Sequence, residues 1–108
     1  SKTNSIAKYI TPAEGFLLVE IISSEQPEAF SIADNNESPQ RGRVIAIGED
    51  SWHEHFERPL ISPAYVGDVV VHSGYGYEDI RVQGEKFRLV PFSKVIAVIK
   101  QEDYAKVQ

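Results

Sequence analysis

Short β-prone apolar runs, each bounded by glycine, proline or polar residues, are the feature that most constrains the fold of this chain. Runs this short favour strands, and no segment shows a persuasive helical period. Residues 78–82 and 85–90 alternate polar with apolar side chains around Gln83-Gly84, which predicts a hairpin. Further strands are predicted at residues 15–23, 43–48, 68–72 and 95–99. The series predicts an all-β fold, a small barrel or sandwich, with a polar tail at 101–108 that frays.

Length and charge limit the classes of function. The chain has 108 residues, which predicts one domain spanning residues 1–108. Its 16 acidic residues outnumber the 11 basic ones and no basic stripe is present, so we expect no nucleic-acid partner. The absence of cysteine excludes disulfides and thiolate metal sites. No apolar run approaches the roughly 20 residues that cross a bilayer, and residues 1–4 lead into no apolar signal core, so we expect a cytoplasmic protein without a membrane partner.

The segment from residue 23 to residue 40 does not fit a barrel wall. It contains four acidic residues, no basic residue, two prolines and two asparagines, a composition that cannot bury enough apolar surface to order itself. Its apolar island, Phe30-Ser31-Ile32, has the layout of a short recognition segment whose side chains enter a groove on a partner. Composition alone equally allows Phe30 and Ile32 to pack back onto the barrel.

A second segment, residues 49–63, is long enough to predict a protruding hairpin. Its distinctive side chains are Trp52, His53, His55 and Phe56. On a strand, His53 and His55 point to the same face, and with Glu57 and the later His72 they are similar to the ligands of a cupin-like iron or manganese site. The spacing to Glu57 is shorter than a cupin pattern requires. A small β-barrel metal-dependent enzyme is therefore the alternative to a binding protein without a metal.

No catalytic constellation emerges from the remaining polar residues. The glycine-rich run at 74–77 precedes a strand and lacks the lysine and the following helix of a phosphate loop. The three histidines support no Ser-His-Asp arrangement, and scattered carboxylates are typical of a solvated surface. We expect a protein that is not an enzyme and that binds no cofactor.

The first and last predicted strands are apolar on consecutive residues, at 16–22 and 95–99, which exceeds what a wall with one solvated face requires. An exposed edge of this kind would aggregate, so a covering partner is one explanation. The candidate interface residues are Phe16, Leu18, Ile96 and Val98. The other explanation is that both strands pack fully inside one subunit.

Three stretches match one known sequence pattern. Residues 66–71, Val-Gly-Asp-Val-Val-Val, resemble Val-Gly-Asp-Lys-Val-Leu. Residues 82–87, Val-Gln-Gly-Glu-Lys-Phe, resemble Ile-Asp-Gly-Glu-Glu-Tyr. Residues 39–48, Pro-Gln-Arg-Gly-Arg-Val-Ile-Ala-Ile-Gly, resemble Pro-Gln-Glu-Gly-Lys-Val-Val-Ala-Val-Gly. The pattern is that of the chaperonin-10 family of GroES-type co-chaperonins, to which the chain is similar.

Two parts of the family pattern are altered. The opening motif resembles Ile-x-Pro-x-x-Asp-Arg-Val-Leu-Val, but residues 14–15 are Glu-Gly in place of Asp-Arg. The family's loop carries Gly-Gly followed by an apolar tripeptide, and here residues 28–29 are Glu-Ala, followed by Phe-Ser-Ile at 30–32. The central serine removes apolar area and weakens each contact. The changes indicate a divergent member of either cellular or viral source.

The resemblance implies a GroES-like β-barrel that assembles into a homoheptamer and caps an ATP-loaded GroEL-type chaperonin. It implies that a mobile loop, residues 23–40, docks on the chaperonin, that unfolded substrate protein is then enclosed, and that ATP is bound by the partner. The implied chaperonin-binding residues are Ala29, Phe30, Ser31 and Ile32. The implied roof residues, in the hairpin at 49–63, are Trp52, His53, Glu54 and His55.

Assembly and location follow from the same resemblance. In the family, the N-terminal strand of one subunit pairs with the C-terminal strand of the next, which assigns the subunit interface to the two apolar strands. Histidines gathered near the ring axis would make the roof pH-sensitive. The protein would act in the cytoplasm, or in the host cytoplasm if a virus encodes it, and its roof would hold no metal.

Overall fold

The computed structural model of the chain describes residues 6–22 and 38–107. Eight strands form in these residues: β1 (Phe16–Ile22), β2 (Gln40–Ile47), β3 (Ser51–His53), β4 (Arg58–Leu60), β5 (Val69–His72), β6 (Glu78–Val82), β7 (Glu85–Pro91) and β8 (Val95–Ile99). Six of them build one antiparallel sheet in the order β6-β7-β1-β2-β5-β8, and β3 pairs with β4 in a separate two-stranded sheet. The predicted all-β fold is confirmed, and each predicted strand is present.

The hairpin predicted around Gln83-Gly84 is also confirmed. Strands β6 and β7 pair antiparallel, with Val82 opposite Glu85. Gln83 and Gly84 both have positive φ, 51° and 83°, the backbone geometry of a two-residue turn whose twist matches that of the strands. A Cβ at Gly84 would meet no atom within 4 Å, so backbone conformation and not space favours glycine there.

The six-stranded sheet curls around one apolar core. Buried side chains meet in one cluster: Leu17, Val19, Val44, Ala64, Val70, Val90 and Phe92. Val98 of β8 packs against the same cluster as Val90 of β7, although three strands separate β7 from β8 in the sheet order. The sheet must roll up to bring them together, which gives the barrel-like form. Each fully buried side chain of this kind contributes about 1.5–3 kcal/mol.

Strand β1 is apolar on consecutive residues because both of its faces are buried. Leu17 and Val19 face the barrel core. Leu18 points the other way and packs in a second cluster beneath the N-terminal residues 6–10. The consecutive apolar pattern therefore reflects packing inside one subunit.

The expectation that β1 offers an exposed edge is wrong. β1 pairs with β2 on one side and with β7 on the other, so both edges are occupied. Leu18 is fully buried within the chain, and Phe16 lies partly buried opposite Pro91. In the described residues β8 pairs with β5 alone and ends the sheet. Its Ile96 is 58% exposed, while Val98 packs against the core.

The C-terminal tail is helical where fraying was expected. Gln101–Asp103 form a 3-10 helix and Tyr104–Val107 a short α-helix. The amide of Gln101 donates to Oδ1 of Asp68 at 3.1 Å, and the guanidinium of Arg43 lies 5.2 Å from the centroid of the Tyr104 ring. These contacts attach the tail to β2 and to the turn before β5, and the polarity of the sequence gave no sign of them.

The two segments that do not fit the barrel wall leave from opposite ends of the β1–β2 pair. Ile22, the last residue of β1, is the cross-strand partner of Arg41, and β2 already begins at Gln40, within the predicted loop. At the other end the amide of Gly15 donates to the carbonyl of Glu49 at 2.8 Å, just before β3. The seven residues of β1 span roughly 20 Å. We call the end with Ile22 and Gln40 the loop end, and the end with Gly15 and Glu49 the hairpin end.

Candidate functional site

A polar network around two buried side chains, Arg88 and His72, lies at the loop end of the barrel. Its centre is Arg88 of β7, whose side chain is 5% exposed. Arg88 pairs with Val19 of β1, and both face the core. The guanidinium donates from Nε to Oδ1 of Asp79 at 2.7 Å and from Nη2 to Oδ2 at 3.2 Å. Nη1 donates to Oε1 of Gln40 at 2.8 Å, and Cζ lies 4.0 Å from the centroid of the Tyr77 ring. A buried cation requires such a complete set of partners.

His72 of β5 completes the network. Its Nδ1 lies 2.7 Å from the carbonyl oxygen of Ser73, which can only accept, so Nδ1 carries the ring proton. Nε2 then turns its lone pair toward Nη1 of Arg88, 3.5 Å away. Burial lowers the pKa of His72; the hydrogen bond to Ser73 opposes this, and the charge of Arg88 adds to it. His72 is therefore neutral near pH 7.

Asp79 of β6 supplies the compensating negative charge. The hydrogen bond from Arg88 lowers the pKa of Asp79, while burial acts in the opposite direction. Nζ of Lys86 also lies 3.6 Å from Oδ2 of Asp79, but the Lys86 side chain is about half exposed, and an exposed pair of this kind contributes little. The ion pair with Arg88 dominates the environment of Asp79.

At the hairpin end, the β3–β4 pair presents aromatic and imidazole side chains. The rings of His53 and His55 each lie 4.7 Å from the ring of Phe56, measured between centroids. The guanidinium of Arg58 lies 5.4 Å from the same ring. Trp52 is 55% exposed and Phe56 60%. The hairpin thus exposes two aromatic side chains next to its histidines.

The part of the sequence that is similar to known proteins includes the strands at both the loop end and the hairpin end. The family described as "Chaperonin 10 Kd subunit" matches residues 10–99, from the residue that packs under β1 to the end of β8. The chain belongs to the chaperonin 10 Kd subunit family. The co-chaperonin GroES of Nocardia farcinica is 32% identical over 93 residues, which are 83% of this chain and 93% of that protein. The co-chaperonins GroES of Mycolicibacterium vanbaalenii and Mycobacterium leprae are each 32% identical over 95 residues, 85% of this chain and 95% of the relative.

Membership of the chaperonin 10 Kd subunit family confirms the resemblance inferred from the sequence. The matched residues include all eight strands, and therefore both flanks of the predicted loop and the whole β3–β4 hairpin. Within residues 6–22 and 38–107, no helix has the length and apolar character needed to cross a membrane.

The predicted site residues fall into two groups. Those predicted to bind a chaperonin, Ala29, Phe30, Ser31 and Ile32, lie outside the described residues, and their role stays a prediction. The predicted roof residues lie at the hairpin end: Trp52 and His53 on β3, Glu54 and His55 in the turn that follows. The hairpin itself is present, and its position in an assembled ring stays a prediction.

The alternative metal site is not assembled. Where the structure describes the chain, no three His, Asp or Glu side chains lie close enough together to hold a metal ion. The ring nitrogens of His72 face Ser73 and Arg88 inside the barrel, while His53 belongs to β3 at the hairpin end. His72 therefore does not join the histidines of the hairpin.

The sequence patterns do not indicate that Gln40, Asp79 and Arg88 form a connected group. The alternation along residues 85–90 assigns Arg88 to the polar, solvent-facing side of a strand, together with Lys86. Both sides of β7 are buried, however, since Phe87 packs in the second cluster and Val90 in the barrel core. Arg88 lies two residues before the core residue Val90 and therefore on the same face of β7. This spacing was the available signal that Arg88 is buried, but it is informative only once the sheet is known to curl around that face.

Proposed function

We propose that this chain is a co-chaperonin subunit. Seven copies form a ring, the loops at residues 23–40 bind a GroEL-type chaperonin that is loaded with ATP, and the ring encloses unfolded substrate protein while it folds. The observation that carries the proposal is the family match over residues 10–99, which includes the strands on both sides of the loop. In this role the chain acts in the cytoplasm, is not an enzyme and needs no cofactor of its own, because ATP is bound by the chaperonin.

The base of the loop supports a tethered binding segment. Ile22 and Arg41 are cross-strand partners, so any segment between them has both ends attached to one barrel. Docking through Phe30 and Ile32 costs conformational entropy, which keeps the affinity of one loop low. Several loops held on one ring act at a high effective concentration. The ring therefore binds tightly as a whole, and its weak individual contacts allow it to leave.

The outer edge of β8 is the proposed contact between subunits. In the part of the chain that the structure describes, this edge ends the sheet, and Ile96 on it is 58% exposed. Pairing with a neighbouring subunit would cover its apolar side chains and satisfy its free backbone groups. A head-to-tail contact of this kind repeats around an axis and closes into a ring. The resemblance implies a ring of seven subunits. Strand β1 takes no direct part in the proposed contact, because both of its edges are paired within the subunit.

The β3–β4 hairpin is the proposed roof of the ring. Its aromatic surface, with Trp52 and Phe56 more than half exposed, is suited to contacts between copies near the ring axis. Trp52, His53, Glu54 and His55 are the residues that would meet there.

Co-sedimentation with a GroEL-type chaperonin, with and without ATP, tests the proposal. We expect the protein in the chaperonin fraction only when ATP is present, and recovery that is independent of chaperonin and ATP would contradict the proposal. Native mass spectrometry and metal analysis of the purified protein supply a second readout. A heptamer agrees with the proposal, whereas a monomer with a stoichiometric metal would support the β-barrel enzyme instead.

A further inference from the structure

Arg88 occupies a core position at the loop end. It is buried and shares its face of the sheet with the buried Val19 and Val90. Transferring a guanidinium from water to such a position is costly, and an ion pair often only balances that cost against apolar packing. Arg88 is therefore expected to contribute less to net stability than to the positions of the residues to which it donates hydrogen bonds.

One of these bonds reaches the base of the loop. Nη1 of Arg88 donates to Oε1 of Gln40 at 2.8 Å, and Gln40 is the first residue of β2. The two residues are 48 positions apart in sequence and belong to strands that β1 separates. The bond ties the point at which the chain rejoins the sheet to β7 and, through Asp79, to β6.

The same nitrogen of Arg88 also faces His72. Gln40 and His72 are cross-strand partners, so Nη1 lies 2.8 Å from Oε1 of Gln40 and 3.5 Å from Nε2 of His72. Arg88 from β7 and Asp79 from β6 are the charges that act on His72. The ring of Tyr77 meets the His72 ring edge-on at 5.2 Å. From β2 the facing residue is the uncharged Gln40, and from β8 the register partner is the apolar Val95.

Protonation of His72 would disturb this arrangement directly. With Nδ1–H already donating to Ser73, the added proton goes to Nε2, which then ceases to be an acceptor for Arg88. Two like charges would stand at 3.5 Å in a buried site, and both oxygens of Asp79 already accept from the guanidinium. The guanidinium withdraws from His72, and Gln40 loses the donor that the two residues share.

We propose that Arg88 is a positioning residue for the chaperonin-binding loop: it holds Gln40 at the loop base while His72 is neutral, and protonation of His72 releases Gln40 and weakens docking. The inference rests on the proposed function and adds a dependence of docking on pH. Since burial lowers the pKa of His72, the release occurs below about pH 6.5, the ordinary value for histidine.

The free protein tests the coupling without a chaperonin. An NMR titration from about pH 7.5 to about pH 5 follows the ring nitrogens of His72 and the side-chain amide of Gln40. We expect both to shift with one midpoint in the wild type. In Arg88→Lys, which keeps the charge but lacks the planar set of donors, the Gln40 amide should no longer follow His72. A Gln40 amide that is insensitive to His72 in the wild type would overturn the inference.

Docking on a GroEL-type chaperonin with ATP tests the consequence. The quantity compared is the ratio of the affinity at about pH 7.5 to the affinity at lower pH. We expect this ratio to exceed one for the wild type and to grow as the pH falls below about 6.5, toward a limit of about tenfold, the effect of losing one charge-assisted hydrogen bond. In His72→Gln, whose amide takes up no proton, the ratio should approach one. His72→Phe provides a second uncharged variant in case His72→Gln does not fold.

The other two histidines provide the control. The double variant His53→Gln with His55→Gln separates this coupling from the pH dependence of the roof: it should remove any pH dependence of ring assembly, and rings that stay assembled should keep the wild-type docking ratio, because these residues lie at the hairpin end. A ratio abolished by the double variant and kept by His72→Gln would overturn the inference. Failure of the wild type to dock at any pH would refute the proposed function. The NMR titration of the free protein would still test the coupling of His72 with Gln40, because it needs no chaperonin.

Discussion

The guanidinium of Arg88 and the carboxylate of Asp79 form a bidentate ion pair across the β6–β7 hairpin, with distances of 2.7 Å and 3.2 Å. The two residues are register partners, so the pairing of the strands brings the groups together without further rearrangement. Arg88 is buried at the loop end, and Asp79 carries the negative charge that its guanidinium contacts. Removal of Asp79 would therefore leave a buried cation without a counter-charge.

Asp79→Asn should lower the free energy of unfolding by about 2 kcal/mol. The value lies below the range for a fully buried pair because the Asp79 side chain is 29% exposed. Urea unfolding near neutral pH measures it. The matched control is Asp103→Asn, which breaks the exposed Asp103–Lys106 pair at 3.4 Å and should cost less than about 0.5 kcal/mol. Equal losses in the two variants would contradict the role assigned to the Arg88–Asp79 pair.

Acidification should reduce the stability in two separate windows. Burial holds the folded-state pKa of His72 below its ordinary value of about 6.5. The unfolded chain therefore takes up this proton more readily, and stability that is complete above about pH 6.5 declines as the pH falls toward the folded-state pKa. The hydrogen bond from Arg88 lowers the pKa of Asp79, so a second decline begins near pH ~3.9.

Urea unfolding across a pH series measures both declines. His72→Gln should remove the first decline and keep the second, since it leaves Asp79 with its partner. A wild-type free energy of unfolding that stays flat between about pH 7 and about pH 5 would contradict the assignment of a buried, neutral His72.

Leu18→Ala tests the placement of β1 inside the subunit. Because Leu18 is fully buried in the second cluster, the variant should lose about 2–5 kcal/mol of unfolding free energy. The protein that remains folded should keep the oligomeric mass of the wild type. A variant with wild-type stability but a smaller native mass would contradict this placement and would indicate that Leu18 contacts a neighbouring subunit.

Ile96→Asp tests the outer edge of β8. A charge at this exposed position should leave the subunit folded but prevent a neighbour from covering the edge, so native mass spectrometry should show monomers. The matched control is Val107→Asp, because Val107 is 54% exposed and lies in the C-terminal helix, outside the strands and the hairpin. If the Ile96→Asp ring stays intact, β8 is not the subunit contact.

Local sequence patterns were sufficient to predict the strands and the β6–β7 turn. Gly84 is decisive because it tolerates the positive φ that the turn requires, and this tolerance is visible in the residue type itself. Gln83 also adopts positive φ, which its residue type does not indicate. The family pattern likewise identified the barrel, since it extends through all the strands. These features depend on residues close together in the chain.

The polar network and the true sheet edges could not be predicted in the same way. Arg88 alternates with apolar residues as a surface residue would, and its contact with Gln40 spans 48 positions. The apolar run of β1 has the same appearance at a free edge as in a strand buried on both faces, and only its pairing with β2 and β7 decides between them. Both features depend on how distant strands come together when the sheet curls, and a local sequence pattern does not predict this.

The central claim is that the segment at 23–40 docks the ring on a chaperonin through Phe30 and Ile32. The most direct measurement is capture of the ring on an immobilised GroEL-type chaperonin with ATP, for the wild type, Phe30→Ala and Ile32→Asp. An alanine removes apolar contact, and an aspartate adds the cost of burying a charge in an apolar groove. Gln26→Ala, in the same segment but outside the triplet, is the control. We expect both triplet variants to lose capture while the heptamer stays intact and the control binds as the wild type does; undiminished capture of Phe30→Ala and Ile32→Asp would contradict the account.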